Sequence, residues 1–122
     1  MRVLLDSVIL IDHFNGIEPA SRYLAESHVD AAISVITRAE VLAGFPPGAA
    51  RKAARLLDAY PNLPVEAATA DLAAQLRRAH GWKLPDAFQA ALAQQHGLKL
   101  ATRNRRDFPP ERHPFVLVPY GL

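Results

Sequence analysis

The sequence predicts an α/β fold, a three-layer sandwich with a mostly parallel sheet flanked by helices. Three observations carry this. Short apolar runs rich in Val, Ile, Leu and Ala recur along the chain. Longer stretches with apolar side chains at helical spacing separate them, and parallel strands need crossovers of that kind. Gly and Pro stand at the junctions. The 122 residues, half of them hydrophobic, suit one domain spanning 1–122, with enough apolar material for a core between a sheet and its helices.

Residues 2–5 form a short apolar run ending at Asp6, as expected for a buried strand. Ser7 is placed to cap a helix that runs to Phe14, and Asn15-Gly16 ends it. Pro19 opens a second helix that continues to Ser27. Residues 29–34, small and β-branched, read as a second strand. Over 35–43, Ile36, Ala39, Leu42 and Ala43 fall on one helical side, and Gly44 with Pro46-Pro47 stops the helix. Ala53, Leu56, Leu57 and Tyr60 mark a helix over 48–60. The stretch after it, punctuated by Pro61 and Pro64, has room for a short strand at 63–65. A further helix spans 67–80, with Leu72 and Leu76 inward and Gly81 at its end. Pro85 sits in the first turn of the next, which reaches His96 and is capped by Gly97. Residues 98–101 are a strand, 102–110 a polar loop and 115–118 a last strand.

The absence of cysteine excludes disulfides, thiolate nucleophiles and Cys-ligated zinc. His13, His28, His80, His96 and His113 share no metal-ligand spacing and read as surface or capping residues. A net charge of +2 permits nucleic-acid binding without requiring it. The basic run Arg103-Asn104-Arg105-Arg106 is the strongest local cue. Arg38, Arg103, Arg105 and Arg106 are candidates for phosphate contact, against the alternative of a solvated basic surface. Trp82 is open between stacking on a base and anchoring the core or an interface. No apolar run is long enough to cross a bilayer, and Asp6 interrupts the apolar N-terminus. No membrane association, no targeting segment and a cytoplasmic location are therefore expected.

The acids carry the functional signal. In parallel α/β sheets, ligands bind beyond the carboxyl ends of the strands. Asp6 stands where the first strand ends, and Asp107 lies in the loop after 98–101. Glu40 is on the helix after the second strand, and Asp86 opens the helix before 98–101. Apolar neighbours flank Asp6, Glu40 and Asp86, a setting in which a lone carboxylate is costly. Two carboxylates about 5 Å apart repel by roughly 3 kcal/mol at an effective dielectric of 20. A cluster of them holds protons or binds a cation. Oxygen ligands without Cys suit Mg²⁺, with Mn²⁺ a second choice. Such an ion lowers the pKa of bound water and stabilises charge on a phosphodiester.

Asp6, Glu40, Asp86 and Asp107 are thus candidate metal-binding and catalytic residues. Ser7, Thr37 and Asn104 are candidates for orienting water or ligands behind them. Each acid has a plainer alternative. Asp6 can cap a helix, Glu40 can be a solvated helix former, Asp86 can complement a helix dipole and Asp107 can serve a turn. Asp12 is open between assisting the site and a structural hydrogen bond.

Four segments, in order, resemble the motifs of PIN-domain nucleases: VLLDSVILID at 3–12, ISVITRAEVLAG at 33–44, LPDAFQAAL at 84–92 and LATRNRRDF at 100–108. They span nearly the whole chain, and its size and closing apolar strand are most similar to VapC-type toxins of bacterial toxin–antitoxin pairs. The resemblance implies a Mg²⁺-dependent endoribonuclease acting on structured RNA such as tRNA or rRNA. It also implies a homodimer, and a small cognate antitoxin that wraps the toxin and plugs the acidic site. Residue by residue, Asp6, Glu40, Asp86 and Asp107 match the metal-binding acids, Ser7 the hydroxyl beside the first, and Asn104 the polar position before the last. Some members place Asp where this chain has Asn104, so both positions stand for the fourth ligand. Val8 departs from the Asn that often follows the hydroxyl.

Two other classes compete. A receiver-type phosphoacceptor domain fits the length and element order, but the residue before Asp6 is Leu5, and the late loop offers Arg where a Lys is needed. A non-catalytic module binding RNA or a protein fits the fold, though decayed sites tend to lose an acid.

Overall fold

In the computed structural model, which describes residues 1–122, the side chains of the short strands alternate between two cores. In β1 (Val3–Leu5), Val3 and Leu5 enter one core and Leu4 the other. In β2 (Ala31–Ser34), Ala31 and Ile33 oppose Ala32 in the same way. This is the period of two that an extended chain imposes. Helices α1 (Ser7–Phe14), α2 (Glu18–Ser27), α3 (Val35–Ala43) and α4 (Pro47–Asp58) close the first core, through Ile9, Leu10, Leu24, Val41 and Leu57. Beyond β3 (Asn62–Leu63), α5 (Ala67–His80) and α6 (Leu84–His96) close the second. Over residues 87–93, α6 is buried almost all round. Ala87, Ala90, Ala91 and Ala93 have no exposure, so small side chains let the helix approach both the sheet and α5. Gly81 and Gly97 end α5 and α6 at φ +72° and +65°, a backbone conformation costly for other residues.

The sheet is completed by β4 (Lys99–Ala101) and β5 (Val116–Leu117). Its order is β3-β2-β1-β4-β5, and every pairing is parallel. The chain runs outward from β1 through β2 and β3, then returns to the other side of β1 as β4. Strand order therefore reverses at β1. Such a switch point leaves a crevice at the carboxyl ends of the two strands where it occurs. Here those ends are adjacent: the Asp6 N–H donates to the Ala101 carbonyl at 2.9 Å.

The expected three-layer architecture is present, and the sheet is wholly parallel. Local differences have local causes. The second strand begins at Ala31, because residues 28–30 form a single 3₁₀ turn and leave Val29 89% exposed. The third pairs at Asn62–Leu63 instead of 63–65, since Pro64 has no N–H to continue the ladder. The last is confined to Val116–Leu117 between Pro114 and Pro119. Helix α1 is capped by Asp6, not Ser7: the Asp6 Oδ1 accepts from the Ser7 N–H at 2.9 Å.

Candidate active site

Asp6 lies in the crevice at the β1 end. It is buried, and its carboxylate is held from three directions. The Thr102 hydroxyl, just past β4, donates to Oδ2 at 2.7 Å. The Ser7 N–H and the Gln89 carboxamide donate to Oδ1 at 2.9 and 3.4 Å. Burial raises the pKa of Asp6, and these hydrogen bonds, Thr102 foremost, oppose the rise.

Behind Asp6 lies a closed polar network. Gln89 of α6 accepts from the Ser34 hydroxyl at 2.7 Å and donates to the Thr37 hydroxyl as well as to Asp6. Thr37 donates to the Leu5 carbonyl at 3.3 Å, and Ser34 caps α3 by accepting from the Thr37 N–H at 3.0 Å. No buried side-chain polar atom lacks a partner. Thr37, expected to orient ligands, is wholly buried and acts by bracing this network. Gln89 went unnoticed in the sequence. Its signal is a single polar residue in an apolar stretch, one turn after Asp86. Gln89→Leu is expected to leave the Ser34 O–H without an acceptor and the Thr37 Oγ1 without a donor, and to destabilise the fold by about 2–3 kcal/mol in urea unfolding. An unchanged midpoint would mean that water replaces the lost partner.

The other acids gather around the same crevice. Glu40, exposed on α3, has its pKa raised by partial desolvation; the Ser7 hydroxyl opposes this and the Asp6 charge adds to it. Asp86, in the first turn of α6, is pushed up to about 6. Partial burial is the main cause, followed by the negative charges of Asp6, Asp107 and Glu40; Lys83 opposes them. One carboxylate thus feels all three others, which brings together the four acids singled out in the sequence. Asp107 is set by its loop. The Asn104 amide donates to its Oδ2 at 2.9 Å, and its own N–H donates to the Asn104 Oδ1 at 3.3 Å. Trp82 Nε1–H donates to its carbonyl at 2.7 Å, and the fully buried Phe108 pins the next residue.

Carboxylate, amide and hydroxyl oxygens are hard donors of the kind Mg²⁺ and Mn²⁺ take, and the charge crowding at Asp86 is what a divalent cation relieves. The residues fit such an ion by donor chemistry. No three acids enclose a point tightly enough to hold one as they stand, and mutual repulsion opposes their closing up alone.

Residues 3–109 match the PIN domain family. This chain belongs to that family. It is 34% identical to Ribonuclease VapC10 of Mycobacterium tuberculosis over 114 residues, which cover 88% of this chain and 86% of that protein. A chain of a toxin–antitoxin complex from Klebsiella pneumoniae superposes with a TM-score of 0.88 at 36% identity, covering 98% of this chain and 99% of that one. FitAcB from Neisseria gonorrhoeae gives a TM-score of 0.78 at 25% identity, with coverage of 98% and 99%.

In this PIN domain, Asp6 and Asp86 line a cleft of about 530 Å³ together with Ser7, Arg103, Asn104, Arg105 and Arg106, while Glu40 and Asp107 stand outside its lining. The arginines divide into two groups. Arg38, expected to contact substrate, donates to Asp58 at 2.8 Å and to Asn62 at 3.2 Å; it ties α3 to α4 and does not line the cleft. Arg103 does line it, but its guanidinium is engaged by Asp12. Nε and Nη2 donate to the two carboxylate oxygens at 2.6 and 2.9 Å, and the Tyr120 hydroxyl donates to Asp12 at 2.8 Å. Asp12 is therefore a structural anion. Arg105 and Arg106 are exposed at the cleft and pair with no acid. Trp82 is a buried anchor. His80 and His113, read as surface or capping residues, form an aromatic cluster with it. No helix is long and apolar enough to cross a membrane.

Proposed function

We propose that this PIN domain, working as one unit over residues 1–122, is a Mg²⁺-dependent endoribonuclease and the toxin of a type II toxin–antitoxin pair. Its substrate is structured RNA such as tRNA or rRNA. Mn²⁺ substitutes for Mg²⁺, and a small antitoxin and a second copy of the chain are its protein partners. The observation that carries the reading is the position of Asp86, pushed up to about 6 by burial and by three other acids at the sheet's switch point. The relatives support it: one is a ribonuclease from Mycobacterium tuberculosis, and another comes from a toxin–antitoxin complex.

Asp6, Glu40, Asp86 and Asp107 would hold the ion, with Asp107 the fourth ligand because the Asn104 amide is taken up in bracing it. A bound divalent ion supplies water activation and neutralisation of charge on the phosphodiester. The chain does the rest. Thr102, Gln89 and the Ser7 N–H fix the Asp6 carboxylate before substrate arrives. Arg105 and Arg106 attract the polyanion, whose phosphates would otherwise be repelled by the acids.

Incubation of the purified protein with total tRNA and rRNA, in Mg²⁺ or Mn²⁺ against EDTA, tests this. Cleavage at defined positions, abolished by EDTA, is the expected result. Metal binding by calorimetry without cleavage of either RNA pool would favour a non-catalytic module. No metal binding at all would overturn the site.

A further inference from the structure

The loop that carries Asp107 has two sides. One faces the acidic cleft. On the other is a separate cavity of about 200 Å³, lined by His80, Trp82, Arg106, Asp107, Arg112 and His113. Its base is aromatic and rigid. Trp82 is buried and bound through Nε1–H to the Asp107 carbonyl at 2.7 Å. The His80 ring stacks on the indole at 4.3 Å between centroids, inclined by 22°. The His113 ring meets both edge-on at 5.1 Å.

Its rim carries two arginines that form no ion pair. The ion pairs of the chain engage Arg22, Arg38 and Arg103, so Arg106 and Arg112 have no acidic partner. Asp107 is the one acid among the lining residues, and its carboxylate is bound by Asn104. The pKa of His113 is lowered, first by burial and then by the positive charges of His80 and Arg112. Two arginines are thus gathered here against a single acid, Asp107. The volume admits a phosphate group and a few waters, each occupying about 30 Å³. Arginine forks suit phosphate oxygens, and contacts of this type fix the register of a nucleic-acid strand. Arg106 lines both this cavity and the cleft, so it joins the two along one path.

We propose that this cavity is a phosphate subsite: Arg112 and Arg106, over the His80–Trp82–His113 base, take a backbone phosphate of the bound RNA strand beyond the Asp107 loop. The inference rests on the nuclease reading and adds a second anchoring point for that substrate. The strand would cross the loop at Arg106, with one phosphate among the acids and another at Arg112. Arg112 therefore sets register and affinity without touching the reacting atoms.

The test measures binding of a short fluorescein-labelled single-stranded RNA to the Asp86→Asn protein, by anisotropy, over a range of salt concentrations. Adding Arg112→Ala should weaken binding about 5–10-fold and lower the salt slope by about 0.7, the value for one lost phosphate contact on a single strand. Arg106→Ala should act likewise, while Arg51→Ala on α4, exposed and outside both cavities, should change neither quantity. Cleavage of total tRNA and rRNA by the otherwise unaltered chain is measured alongside. Cleavage together with an Arg112→Ala slope equal to the parent's would overturn the subsite and leave the nuclease reading standing. No cleavage but a lowered slope would overturn the nuclease reading and keep the cavity as a nucleic-acid phosphate site. Neither cleavage nor binding would overturn both. An equal loss of affinity for poly-aspartate would make the cavity a general polyanion site and remove the assignment to RNA.

Discussion

Asp86→Asn is expected to leave the protein folded while lowering RNA cleavage by about 10³-fold or more, the scale of losing a group that acts only in the transition state. The amide keeps the shape and the place in the first turn of α6 but removes the charge that faces Asp6, Asp107 and Glu40. The same variant carries a stability signature. In the folded, metal-free protein Asp86 titrates at about 6, above its ordinary 3.8. An acid whose pKa rises on folding binds its proton more tightly when folded. Its ionisation therefore costs the fold nothing below pH 3.8, progressively more up to pH 6, and a constant amount above. In EDTA, stability should fall across that window in the parent chain and stay flatter in Asp86→Asn. Because the group is only half-buried, solvent screening reduces the gain at pH 8 to about 1–2 kcal/mol. Thermal melts at pH 4 and pH 8 check it. A variant that is less stable than the parent at pH 8 would show that Asp86 is held by attraction, not strained by its neighbours. Added Mn²⁺ should stabilise the parent and leave the variant nearly unmoved.

Arg103→Ala is expected to destabilise the fold by about 2–4 kcal/mol, below the full cost of breaking a wholly buried pair because the Arg103 side chain is 34% exposed. The clamp joins three distant parts of the chain. Asp12 lies on α1, Arg103 follows β4, and Tyr120 comes from the C-terminal segment. Removing the guanidinium leaves a buried carboxylate with only the Tyr120 hydroxyl. The double variant Asp12→Asn/Arg103→Ala should recover part of the loss, since no charge is then buried. Urea unfolding of the two variants measures this. Asp12 has its pKa lowered, chiefly by the Arg103 hydrogen bonds, so the clamp's contribution is present above the ordinary carboxylate range and is lost as the pH falls through the depressed value. The gap between parent and Arg103→Ala should therefore close in acid. A gap that persists when Asp12 is protonated would assign the loss to packing of the arginine stem. Because Arg103 stands next to Asn104, the variant should also loosen the loop that presents Asp107.

Much of this was legible in the residues themselves. The apolar run at 2–5, helical spacing through Ala-rich segments, and Gly or Pro at the ends are local signals, and the elements formed close to where they stood. Where an element was misjudged, the cause was local. Pro64 lacks the hydrogen a longer third strand needs, and Asp6 outcompetes Ser7 for the α1 cap because its carboxylate accepts from the first free N–H. The acids stood out as candidates too, since a carboxylate among apolar neighbours is costly without a partner.

Partners were not legible. Arg38 and Arg103 looked like free cations beside a nucleic-acid site, and nothing near them in the chain names Asp58 or Asp12. The Arg103 contact spans 91 positions and the Gln89–Asp6 contact 83. Local order thus came from the sequence by itself: periodicity, caps and backbone chemistry act within a few residues and need no knowledge of the rest of the chain. Tertiary structure alone decided which charges meet. The reversal of strand order at β1 places the ends of β1 and β4 side by side, and the pairing energies that follow depend on distances of a few ångströms that no spacing along the chain encodes.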